Sequence, residues 1–378
     1  MDIVDRFLKY VSFPTTSVDD CETIPSNPDE FKLRDFLADE LRELGAEAVI
    51  CDEFCYLYAT IPGNVPGAPS IGLLAHLDTS SSASGENIHP QRMVRDGKKI
   101  ICTDGTTLLG GDDKAGMAAI MSAVEYLHEN PDYPHGELRI VFTPDEEVGQ
   151  STEKLDLVKL GTDFAYTVDG GDCREVEAEN MWGHTVKVTV TGASAHPGYA
   201  KGVLKPAHYI GMEYAMMLPQ GQRSEFTEGR EDFHYLAKFD GMAKKSELIY
   251  FIRSATADGL QAQVDCMNGA ADFLNVKYGP DTVKVEILSD RKNMMEDMKD
   301  NLKAYELACA AVKKVCGEVL TPICRGGFDG MVVTAGGIPC PNLGAGDYNM
   351  HAVDEYVVVD EMRKSMAILL EIMKQSAV

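Results

Sequence analysis

Basic residues are scarce in this sequence beside its acidic ones. Lysine and arginine number 35 against 60 aspartates and glutamates, a formal charge of −25. So acidic a chain is repelled by polyanions, which excludes nucleic acid and anionic membranes as expected partners; the charge serves solubility. No run approaches the roughly 20 apolar residues of a membrane span. The opening Met1-Asp-Ile-Val-Asp-Arg lacks the basic and apolar regions of a signal peptide. The ten cysteines contain no CxxC pair, so a cysteine zinc cluster is not expected. They read as reduced, mostly buried thiols of a cytoplasmic protein. There is no G-x-S-x-G elbow for a nucleophilic serine, no internal repeat and no low-complexity tract.

What is present is ordinary globular composition, 44% hydrophobic and 25% charged, over 378 residues, enough for two domains with real cores. Helical spacing marks Ile3 to Val11 and Glu30 to Leu44, the second stopped by Gly45. Short apolar runs at Tyr56–Ile61, Ile71–Ala75, Glu137–Phe142 and Phe164–Val168 read as strands, with a helix from about Asp113 between them. Strands alternating with helices predict an α/β fold, a mostly parallel sheet covered on both faces. From about Gly183 the texture changes. Thr185–Thr191, Phe233–Phe239, Leu248–Ile252 and Val283–Leu288 read as strands, with helices at Pro206–Met217 and Gly259–Leu274. That βαββαβ order predicts an inserted α+β ferredoxin-like domain over 183–292, the first domain comprising 1–182 and 293–378. Gly326-Gly-Phe-Asp-Gly reads as loop punctuation, and helices at Leu302–Val315 and Met362–Met373 close the first domain.

The chemistry centres on Gly110 to Gly116, Gly-Gly-Asp-Asp-Lys-Ala-Gly. Two adjacent carboxylates, Asp112 and Asp113, sit where a glycine loop feeds a helix whose Met117, Ile120, Met121, Val124 and Leu127 share one face. Alone, this is an acidic helix cap. Its company gives it weight: His76 and Asp78 upstream, Glu146 and Glu147 downstream, then Asp169 and His351. His76, Glu146, Glu147 and Asp169 each fall at the end of a predicted strand, where α/β sheets bind ligands. Hard oxygen and borderline nitrogen donors in that number suit a pair of divalent metals.

This combination resembles the M20 family of co-catalytic zinc peptidases, and within it the tripeptide aminopeptidases. The likeness runs through nearly the whole chain and is densest in the fourteen positions from Thr103 to Gly116. Phe142-Thr-Pro-Asp-Glu-Glu-Val-Gly, Tyr166-Thr-Val-Asp-Gly-Gly and His196-Pro-Gly-Tyr-Ala-Lys-Gly add to it. The resemblance implies two zinc ions per chain, with cobalt or manganese acceptable to the same donors. Asp112 would bridge them, His76 and Asp169 completing one site, Glu147 and His351 the other. Asp78 would hydrogen-bond His76 and fix its tautomer, and Asp113 would be a neighbour rather than a ligand. Glu146 is the implied general base on a zinc-bridging water. In the inserted domain, a lid and dimerisation domain in such relatives, His196 would assist the tetrahedral oxyanion. Arg253 would hold a substrate carboxylate, the alternative being a surface arginine on an edge strand; Lys201 and Arg325 are further candidates for the same pocket.

Three departures from the tripeptide aminopeptidases bear on substrate choice. The loop between Asp78 and Thr103 is short, Ala352 replaces the usual glycine after His351, and Arg253 is followed by Ser-Ala-Thr without the usual acids. The expected activity is hydrolysis of short peptides from the amino end. Dipeptidase, carboxypeptidase and N-acyl amino acid amidohydrolase activities are the nearest rivals, and a non-catalytic peptide-binding protein the rival from another class.

Overall fold

The computed structural model describes residues 1–378. Helix α1 (Ile3–Val11) is opened by Asp2, whose carboxylate accepts the Val4 amide at 2.9 Å and so satisfies a donor the helix cannot. Helix α2 (Glu30–Glu43) buries Leu33, Leu37 and Leu41, a four-residue repeat that keeps one face inward. Gly45 follows at φ +84°, the left-handed turn that glycine makes without a Cβ clash.

Next come β1 (Glu47–Cys51), β2 (Leu57–Ile61), β3 (Ile71–His76), the hairpin β4 (Gln91–Arg95) and β5 (Lys98–Cys102), then α3 (Gly111–Glu129). After these lie β6 (Leu138–Thr143), α4 (Leu157–Leu160), β7 (Phe164–Thr167) and β8 (Val176–Glu177). The second half holds β9 (Trp182–Thr191), α5 (Ala207–Met217), β10 (Phe233–Gly241), β11 (Lys245–Ser254), α6 (Ala257–Tyr278), β12 (Val283–Arg291) and α7 (Met295–Met298). The chain ends with α8 (Lys303–Cys316), α9 (Asp329–Ala335), β13 (Asn342–Leu343), β14 (Asp347–Tyr348), β15 (Tyr356–Val358) and α10 (Val359–Ser376).

The chain forms two compact units, Met1–Ala178 with Asp297–Pro322 and Gly327–Val378, and Glu179–Glu296 with Ile323–Gly326. The first is built on a seven-stranded sheet in the order β1-β2-β6-β3-β7-β13-β8. Its centre is parallel, as the alternation of strands and helices requires: β6, β3, β7 and β13 run side by side in one direction. Its edges are antiparallel, β1 on β2, β2 on β6 and β13 on β8, so the sheet is mixed. Every residue of β3 is buried, as befits a strand covered on both faces. A second sheet of this unit, β14-β15-β5-β4, was not foreseen. In the other unit β10-β11-β9-β12 form an antiparallel sheet. Val186, Val188 and Val190 point from β9 into its core with Ile210 and Tyr214 of α5 and Leu260 and Leu274 of α6; the period of two along β9 makes that face.

Candidate metal centre

Three parallel neighbours, β6, β3 and β7, deliver donors at their carboxyl ends: Glu146 and Glu147 after β6, His76 as the last residue of β3, Asp169 just beyond β7. Asp112 comes from a separate segment, the non-helical first turn of α3. Gly110 is left-handed at φ +78°, and a Cβ on Gly111 would stand 2.4 Å from Asp347 Oδ1, so the loop needs both glycines. Asp112 and Asp113 have non-helical dihedrals, and the peptide between them is cis.

One carboxylate then spans two imidazoles. Asp112 Oδ1 lies 2.9 Å from His76 Nε2, and Asp112 Oδ2 lies 3.2 Å from His351 Nε2. On the His351 side Glu147 Oε2 stands 2.9 Å from the same Nε2, while Glu147 Oε1 is buried with no hydrogen-bond partner. On the His76 side Asp169 Oδ1 is 4.0 Å from Nε2. Asp113 takes no such part: its two oxygens accept the Gly116 amide at 3.1 Å and the His76 amide at 3.3 Å, although its oxygens cluster with His76 and Asp169.

Asp78, wholly buried, ties the donors together. Its Oδ1 is 3.2 Å from His76 Nδ1, and its two oxygens accept the amides of Glu146 and Glu147 at 2.9 and 3.1 Å. Holding Nδ1 directs the other ring nitrogen, Nε2, toward Asp112. The Glu146 carboxylate itself makes no hydrogen bond. Burial, with Asp169, Asp329 and Asp112 nearby, holds its pKa well above the usual carboxylate range despite His76. Asp169 is raised likewise, by burial and then Asp112. Asp112 goes the other way: burial would raise it, but hydrogen bonds from His351 and His76 pull it well down. His351 is raised to about 10, by its hydrogen bonds to Asp112 and Glu147. Crowded carboxylates and the imidazoles between them shift one another's pKa strongly, the mark of an unbalanced negative cluster, and two divalent ions would supply the missing positive charge. With the unpartnered Glu147 oxygen, this donor set fits such metals.

Two residues that matter here escaped the sequence reading. Glu355, wholly buried, accepts the amides of Leu109 and Gly110 at 2.8 Å and of Asp112 at 3.1 Å, clamping the loop that presents Asp112. Its proximity in sequence to His351 was the available signal. Glu355→Ala should orphan three amides, each at a cost of about 1–3 kcal/mol. It should weaken metal binding by about 10–100-fold, the usual toll of removing a group behind a ligand, as read by competition with a chelator. Unchanged metal affinity would show that the loop holds its shape without Glu355. Asp329 is the other. Read as loop punctuation, it instead begins α9 and accepts the Thr143 hydroxyl at 2.7 Å and the Ser151 hydroxyl, bracketing the Glu146–Glu147 turn.

The remaining candidates belong to the second unit. His196 is exposed, its Nδ1 accepting the Gly198 amide at 3.2 Å, and Lys201 is exposed. Arg253 lies on β11, an interior strand rather than an edge, and is 9% exposed. Its Nη1 donates to the carbonyls of Ile252 at 2.9 Å and His184 at 3.2 Å; it pairs with no carboxylate, and burial lowers its pKa to about 10 with Arg291 contributing. Arg325 is committed elsewhere: it donates to the Gly229 and Glu231 carbonyls and the Thr227 hydroxyl, and stacks on Phe233. Those bonds make it a clasp for the 227–231 loop.

The model of peptidase family M20/M25/M40 matches residues 72–375. Peptidase T of Halothermothrix orenii is 40% identical over 400 residues, covering 98% of each chain. Peptidase T of Alkaliphilus oremlandii is 38% identical over 99% of this chain and 98% of its own. Among solved structures, a tripeptidase from Staphylococcus aureus subsp. aureus Mu50 superposes with a TM-score of 0.81 at 23% identity, covering 99% of this chain and 98% of that one; at that identity it speaks for the fold. Fold, cluster and relatives together mark a metal-dependent peptidase. The chain belongs to peptidase family M20/M25/M40, and the full-length relatives it resembles there are peptidases T. No helix is long and apolar enough to cross a membrane.

Proposed function

We propose that this protein is a two-zinc aminopeptidase that removes the first residue of short peptides, tripeptides above all, in the cytoplasm. One observation carries the metal assignment: the Asp112 carboxylate offers one oxygen toward His76 and the other toward His351. In this reading Asp112 would serve both ions, His76 and Asp169 would hold one, and Glu147 and His351 would hold the other. Bound zinc would polarise the scissile carbonyl and lower the pKa of the attacking water. Glu146, its carboxylate free of hydrogen bonds, takes that water's proton and hands it to the leaving amine. Asp78 keeps His76 oriented and the Glu146–Glu147 turn in place. The name of the relatives, peptidase T at 38–40% identity over nearly the whole chain, supports the substrate class.

The second unit supplies His196 for the tetrahedral oxyanion and Arg253 for the substrate's terminal carboxylate, and is the face through which two copies would pair. Arg253 suits its role because its guanidinium is buried and without an acidic partner. Amidating the carboxyl end of a tripeptide should therefore raise KM for the wild type and leave Arg253→Ala indifferent. Equal indifference in both proteins removes Arg253 from the site.

The product pattern tests the activity. Zinc-loaded protein is incubated with di-, tri-, tetra- and N-acetylated tripeptides, and products are identified by mass. The expected result is release of the first residue, fastest from tripeptides, with the acetylated peptide left intact. Release of the last residue identifies a carboxypeptidase, removal of the acetyl group an amidohydrolase, and no cleavage a binding protein.

A further inference from the structure

Outside the acid–histidine cluster, two thiols from distant parts of the chain meet. Cys173 and Cys316 are 143 positions apart, yet their Sγ atoms lie 3.7 Å from each other, and Cys316 Sγ also reaches the Cys173 carbonyl at 3.9 Å. Cys173 is 2% exposed. Cys316, the last residue of α8, is only partly covered.

The neighbours decide what this pair can do. Ligand atoms of Asp172 and Glu361 cluster with the Cys173 sulfur, which at first suggests a metal. Both acids are already neutralised, however. Arg174 donates through Nε to Asp172 Oδ1 at 2.9 Å. Lys98 Nζ donates to Glu361 at 2.7 Å, and the Tyr348 hydroxyl donates to its other oxygen at 2.5 Å. A cation would have to displace both partners, whereas the two sulfurs face each other.

We propose that Cys173 and Cys316 are a modification site: a dithiol that closes reversibly to a disulfide by exchange with a low-molecular-weight disulfide of the oxidised glutathione type. Exposure sets the order. The Cys316 thiolate attacks one sulfur of the small disulfide, whose S–S bond breaks; one small thiolate leaves, takes up a proton, and Cys316 carries the other half. Cys173 then gives up its proton and attacks the Cys316 sulfur, forming the internal bond and expelling the second small thiol. Two protein thiols are oxidised and one small disulfide is reduced to two thiols, with no other oxidant. Burial holds the Cys173 thiol well above its ordinary pKa, which suits it to resolve a mixed disulfide formed next to it rather than to attack from solution.

The position gives the bond a consequence. Cys173 lies on the segment that leaves Asp169, where Gly170 and Gly171 accept the amides of Ala345 and Gly346 at 2.8 and 2.7 Å. A disulfide would tie this segment covalently to the end of α8.

The test uses the full-length native protein, treated with oxidised glutathione, alkylated without reduction and mapped by mass. The expected product is a pair of peptides cross-linked through Cys173 and Cys316, lighter by two hydrogens than the same peptides reduced, and reversed by dithiothreitol. C173S should stop with one glutathione on Cys316, and C316S should leave Cys173 unmodified. Recovery of both cysteines as alkylated free thiols would overturn the assignment, as would cross-links joining either to a third cysteine. So would protection of both thiols by added zinc, which would make the cluster a metal site.

Discussion

Glu146→Gln should keep its metal and lose about 10²–10⁴-fold in turnover, the usual worth of general-base help. Glu147→Gln should fail differently, losing metal affinity and regaining part of its activity when metal is added in excess. The two residues are adjacent, and Asp78 accepts both their amides, so neither substitution removes what holds the turn. Their side chains differ: Glu147 stands against His351 at 2.9 Å with a second oxygen unpartnered, and the Glu146 carboxylate has no hydrogen bond. Metal content and turnover, measured on both variants side by side, separate the roles. Wild-type turnover in Glu146→Gln removes the general base. Normal metal with no activity in Glu147→Gln means that the roles are exchanged.

Asp112→Ala should have the larger effect on metal. Both imidazole Nε2 atoms meet this one carboxylate, so its removal unmakes both sites at once. The loss should exceed the roughly 10–100-fold typical of groups behind a ligand, and turnover should vanish with it. Asp112→Asn, which offers one oxygen where two are needed, should retain at most one equivalent. Asp113→Asn is the contrast: Asp113 accepts two backbone amides, so this change should cost stability before it costs metal.

That contrast shows where the sequence stopped being legible. Spacing alone does not choose between adjacent acids; the backbone around Asp112 and Asp113 does, by turning one carboxylate out and the other back onto main-chain donors. The strand-end positions of His76, Glu146, Glu147 and Asp169 were readable because β3, β6 and β7 are short apolar runs bounded by turns. The long helices were readable from one-sided apolar spacing, whereas the short α4, α7 and α9 were not; the βαββαβ order of the second unit was readable from the alternation along β9 and the helical faces of α5 and α6. The hairpin of β4 and β5 was missed because every residue of β4 is exposed and so carries no apolar alternation. Asp96 and Gly97 at its tip, both with positive φ, were the turn signal left unused. Strand β1 has no buried residue, which hid the antiparallel edge. Strands β13 and β14 are two residues each, too short for any period. The roles of Glu355 and Asp329 were hidden for another reason: their partners lie 178 to 246 positions away, and although Glu355 stands near His351 in sequence, no local pattern records a contact made by the fold.

The most direct measurement is diffraction from crystals grown with zinc, recorded at the zinc absorption edge. Two anomalous peaks should appear on either side of the Asp112 carboxylate, one against His76 and Asp169, the other against Glu147 and His351. A single peak, or peaks that leave Asp112 bound to neither, would contradict the bridged centre on which the account rests.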